Sequence, residues 1–101
     1  WDKQPFACLS SRFPYGTEIT AERLARIDRC ETLLRQRNFR NYRVRYHGDT
    51  ARIEVAPAEI PRLLDETLRE EIVREFKSAG FTYVALDLQG YRTGSMNETT
   101  P

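Results

Sequence analysis

Long apolar runs, cysteine, histidine and lysine are all scarce in this chain, and each shortage narrows what it can be. No apolar stretch exceeds a few positions, far short of the roughly 20 residues that span a bilayer. No charged segment followed by an apolar run marks a secretory leader. No membrane partner is therefore expected, and the sparse cysteines point to a reducing, cytoplasmic location. Cys8 and Cys30 are the only two cysteines, too few for a disulfide framework, and beside one histidine they complete no metal-ligand spacing. Lysine is nearly missing, because all but two of the 16 basic residues are arginine. Arginine supplies a planar fork matched to carboxylate and phosphate, where lysine supplies a point charge. A net charge of +1 argues against a general polyanion binder, so no nucleic-acid partner is expected.

What is present suits one soluble α+β domain. The 101 residues can bury a modest core, with 40% hydrophobic and 31% charged positions, and are too few for two domains. The chain opens at Trp1 without Met, which leads to the expectation of a fragment or a processed product.

The stretch from Cys8 to Gly16 carries a thiol, two hydroxyls and a guanidinium within five positions. Pro14 and Gly16 then forbid a helix and force a turn. Arg12 suits an anion, Ser10 and Ser11 add hydroxyl donors, and a nearby cation would favour the Cys8 thiolate.

Thr20 reads as the N-cap of a helix running to about Arg37, with Leu24, Ile27 and Leu34 on one apolar face. Glu31 falls inside that stripe, where a carboxylate either reaches water at the border or meets an arginine or a ligand. Cys30 reads as a small core residue, and Asn38 before Phe39 as a left-handed helix stop. Tyr42 to His47 and Ala51 to Val55 alternate as strands, and Gly48-Asp49 fits a two-residue hairpin loop. Pairing His47 with Thr50 sets Arg45 opposite Arg52 and Arg43 opposite Glu54. Like charges in that position are unfavourable, and an anion between them would relieve it. His47 is a weak metal or catalytic signal. A helical region from Pro57, broken near Asp65 to Thr67, runs to about Ala79, and Gly80 ends it. A strand follows from Phe81 to Leu88. The expected fold is a three-stranded antiparallel sheet of order 2-1-3, with two main helices on one face and the arginine face left open.

Cys8 with Ser-Ser-Arg-Phe-Pro-Tyr-Gly at 10–16, Glu31, Arg-Val-Arg-Tyr-His-Gly-Asp at 43–49, Ala-Arg-Ile-Glu-Val at 51–55 and the run from Tyr83 to Glu98 together resemble one family. It is the C-terminal domain of the LarE family, ATP-dependent sacrificial sulfur transferases of the PP-loop ATP pyrophosphatase superfamily. The resemblance implies that residues 1–19 are an active-site loop linking to a missing N-terminal PP-loop domain, and that 20–101 form the C-terminal α+β sulfur-transferase domain. It implies that the complete protein converts carboxyl groups of pyridinium-3,5-dicarboxylate mononucleotide to thiocarboxylates. In that family the product goes towards the nickel-pincer nucleotide cofactor of lactate racemase. ATP and Mg belong to the missing domain, so the fragment alone would be inactive, and a homo-oligomer is expected. The resemblance gives Cys8 the catalytic role and Ser11, Arg12, Glu31, Arg43 and Arg45 the role of substrate and phosphate ligands, and the cross-strand pairing adds Arg52 to that set. Family members differ in sulfur source. Some sacrifice a cysteine one residue earlier, where this chain has Ala7. Others carry the Cys8 spacing and hold a 4Fe–4S cluster together with cysteines of the missing domain, and the spacing here leans to this second route. The alternatives are a non-catalytic anion-binding or oligomerisation domain of a PP-loop protein, and a sheet-face RNA-binding module.

Overall fold

Thr20 begins the first helix, its hydroxyl accepting from Arg23 N–H at 3.1 Å and so satisfying one of the free donors at the helix start. The structure is a computed structural model and describes residues 12–91. Helix α1 spans Ala21–Gln36. Asn38, at φ 70°, turns the chain into a left-handed stop, and Phe39 N–H then donates to Leu34 O. Strands β1 (Tyr42–His47) and β2 (Thr50–Val55) follow. They pair antiparallel with His47 opposite Thr50, Arg45 opposite Arg52 and Arg43 opposite Glu54, the register that alternation predicts. Gly48 takes φ +60° while Asp49 keeps φ negative, the pattern of a tight hairpin turn with its strained position first.

A 3-10 helix at Pro57–Leu64 is broken by Asp65, whose carboxylate accepts from Leu68 N–H at 2.9 Å and caps helix α2, Glu66–Ala79. Gly80 ends α2, and β3 spans Tyr83–Leu86. Both helices cover the apolar hairpin face. Ile27, Cys30 and Leu34 of α1 and Ile72 and Phe76 of α2 form one core with Val44, Tyr46, Ala51, Ile53 and Val55. Among the described residues no helix is long and apolar enough to cross a membrane.

The α+β class with a three-stranded sheet stands, but the strand order does not. The order is β1-β2-β3, and β3 runs parallel to β2. The reason lies at the outer edge of β1. Val44 N–H donates to Glu31 Oε2 at 3.0 Å, and Tyr46 N–H donates to Arg12 O at 2.6 Å. An edge whose donors are taken by a carboxylate and a loop carbonyl has no room for a strand, so the helical crossover returns beside β2. The arginine face is not open along its length either, since Arg45 is 2% and Glu54 0% exposed.

Candidate functional site

Two charged clusters lie on either side of Val44. The first joins the loop to the helix. Arg12 Nε and Nη2 donate to Glu31 Oε2 and Oε1 at 2.8 and 2.9 Å, a bidentate fork. Both side chains are buried, so Glu31 meets an arginine and does not reach water. Phe13, next in the chain, is buried with its ring 5.0 Å from that of Tyr46. At consecutive residues, the Arg12 carbonyl and the Phe13 ring fasten the loop to β1 while the Arg12 guanidinium fastens it to α1. Cys8 and Ser11 lie outside the described residues.

The second cluster occupies the hairpin face opposite the core. Arg45 Nη2 lies 2.9 Å from Glu54 Oε1, and Arg52 Nη2 lies 2.9 Å from Glu54 Oε2. The anion that relieves the Arg45–Arg52 opposition is therefore the protein's own Glu54. Arg52 Nε is also 3.7 Å from Asp87 Oδ2. Arg43 is different. Its Nη1 donates to Tyr42 O at 2.8 Å and its guanidinium lies over the Tyr91 ring, 4.9 Å from the centroid. Of the three hairpin arginines it alone makes no ion pair among the described residues. Among the described residues three guanidiniums share this patch with two carboxylates, a cluster rich in arginine forks that suits an anion.

The remaining candidates fall away from this patch. Burial pushes the Cys30 thiol up to about 12, so it stays protonated and inert in the core. His47 is held below its ordinary value, first by burial and then by Arg52, which suits a neutral strand-end residue. Tyr46 is buried and Tyr42 packs against the core, so neither strand tyrosine can stack a base as a sheet-face RNA binder would require. A groove of about 260 Å³ between β3, α2 and the 3-10 helix has apolar walls, among them Ile53, Leu63, Ile72 and Val84. Among the described residues no group of histidine, cysteine and carboxylate side chains could hold a metal.

The structure therefore gathers Arg43, Arg45 and Arg52 on one face, and sets Arg12 with Glu31 at the adjoining strand edge. Glu54, Asp87 and Tyr91 were not among the candidate site residues. The hairpin register offered a signal for Glu54, which faces Arg43 and shares a sheet face with Arg45 and Arg52. Nothing local signalled Tyr91, because a turn after β3 carries it across the sheet.

No family model matches the chain. Individual relatives do. Pyridinium-3,5-bisthiocarboxylic acid mononucleotide synthase of Lactiplantibacillus plantarum is 43% identical over 99 residues, 98% of this chain and 35% of that protein. An uncharacterised protein of Synechocystis is 46% identical over 97 residues, 96% of this chain and 36% of its own length. An uncharacterised protein of Methanocaldococcus jannaschii is 35% identical over 86 residues, 85% of this chain and 33% of its own length. The chain thus spans about a third of the length of the curated relatives it matches.

Proposed function

We propose that this chain is the C-terminal part of a LarE-family sulfur transferase, acting on pyridinium-3,5-dicarboxylate mononucleotide in nickel-pincer nucleotide synthesis. The observation that carries this reading is Arg43. It stands without a carboxylate partner among the described residues, on a patch rich in arginine, in a chain 43% identical to a synthase named for a pyridinium mononucleotide. Arg43 binds the substrate phosphate through its fork, and Arg45 and Arg52, held by Glu54, add positive field from the same face. Arg12, fixed by Glu31, anchors the loop that brings Ser11 and Cys8 to the phosphorylated guest. A PP-loop domain elsewhere in the protein binds ATP and Mg and adenylates the substrate carboxyl. The new C–S bond forms as AMP leaves. On the sacrificial route the Cys8 thiolate attacks the acyl adenylate, and loss of its Cα proton then breaks Cβ–Sγ to release the thiocarboxylate and leave dehydroalanine. On the other route Cys8 would serve as a ligand of a cluster that supplies sulfide-level sulfur.

Among the described residues there is no donor set for an iron–sulfur cluster, and Cys30 is a buried, protonated thiol. In this chain only Cys8 could ligate one, beside cysteines of another domain. The complete protein is read as a cytoplasmic homo-oligomer.

The test uses the complete protein and follows thiocarboxylate formation by mass spectrometry. Arg43→Ala removes a charge-assisted contact of about 1.5–3 kcal/mol, so KM for the nucleotide should rise at least tenfold with thermal stability kept. Cys8→Ser should abolish transfer. Unchanged kinetics in Arg43→Ala would refute the phosphate role, and full transfer by Cys8→Ser would leave a purely structural domain.

A further inference from the structure

We infer that Tyr91 is the positioning residue for Arg43, delivered by a glycine turn that closes the sheet. This rests on the phosphate reading of Arg43 given above. The segment after β3 does not leave the domain directly. Asp87 N–H donates to Ile53 O at 2.9 Å, continuing the parallel ladder, and Gly90 N–H folds back onto Asp87 O at 3.0 Å. Tyr91 N–H then donates to Val55 O at 2.8 Å. The turn therefore skips over Leu88 and Gln89 and rejoins β2 at its last residue. Gly90 makes this possible. Its φ is +87°, and a Cβ there would sit 2.9 Å from Val55 O and 3.0 Å from Pro57 Cγ. Backbone carbonyl and proline ring cannot step aside, so only glycine lets the chain pass so close.

The same turn touches two hairpin arginines. Asp87 lies 3.7 Å from Arg52, and the Tyr91 ring lies under Arg43. The ring takes one face of the Arg43 guanidinium, and Tyr42 O takes Nη1 at 2.8 Å. Those two contacts fix the plane and the rotation of the fork, leaving Nε–H and Nη2–H along the edges through which a phosphate is gripped by parallel bonds. An arginine held this way loses little freedom on binding. The tyrosine hydroxyl plays no part, so the ring alone should suffice.

The experiment measures affinity of the complete protein for nicotinamide mononucleotide, a pyridinium mononucleotide, by calorimetry. Tyr91→Phe should bind within about twofold of the parent, and Tyr91→Leu about fivefold more weakly, the size of a cation–π contact. Arg43→Ala combined with Tyr91→Leu should bind no more weakly than Arg43→Ala alone, because the ring has nothing left to position. Tyr91→Met, whose longer flexible chain can cover the same surface without a ring, gives the same expectation should the leucine variant fail to fold. Parent-like binding by Tyr91→Leu beside weakened Arg43→Ala would overturn the positioning role and spare the phosphate reading. So would losses that multiply in the double variant. Parent-like binding by Arg43→Ala would remove the phosphate reading, and the positioning role with it.

Discussion

Glu31 stands between Ile27 and Leu34 on the apolar side of α1, and its carboxylate is fully engaged there by Arg12 and by Val44 N–H. Glu31→Ala would remove the bidentate partner of a buried guanidinium and the acceptor of a strand-edge donor together. The expected loss is about 3 kcal/mol in urea unfolding, against a much smaller loss when Arg12 and Glu31 are both replaced by apolar residues. The helix spacing placed Glu31 inside the apolar stripe but left open whether it reaches water or meets a partner. Which partner it takes was not legible, because Arg12 is 19 residues away and reaches it through a loop that no periodicity describes. Cys30 was legible as core from its place in the same stripe. With its thiol raised to about 12 by burial, it should resist alkylation in the native protein at mildly alkaline pH and react once urea is added. Native modification of Cys30 would contradict its placement.

Among the elements, helix caps and the hairpin were readable because each rests on neighbours in the chain. Thr20, Asn38, Pro57, Asp65 and Gly80 act where local chemistry puts them, and the register follows from one turn. The place of β3 was not readable, because it depends on which edge of the hairpin is already occupied. Glu31 and Arg12 settle that through tertiary contacts. Gly48 has open space where a Cβ would stand but a φ of +60°, so Gly48→Ala should cost about 1 kcal/mol through backbone strain alone. His47 at the end of β1 adds a pH dependence. Its folded pKa lies below the ordinary 6.5, so the unfolded chain takes up the proton first. Stability should fall as pH drops through about 6.5 and level off below the folded value. His47→Gln should flatten that part of a stability profile, and an unchanged profile would show that His47 is not the source.

For the molecule as a whole, net charge hides the feature that matters. A chain of net charge +1 gathers, among the described residues, three arginines and two carboxylates on one sheet face, and the turn after β3 sets the Tyr91 ring against Arg43. Composition showed the arginine bias, but only the register and the return of the chain at Tyr91 show where it gathers. The decisive measurement is the Arg43 side-chain Nε–Hε signal of the complete protein, followed by NMR during titration with inorganic phosphate. A saturable shift is expected at Arg43, weakened by salt, while Arg29 and Arg37, paired with Glu75 and Glu71 between the helices, stay still. Shifts confined to the helix arginines, or none at Arg43, would contradict an anion site on this face.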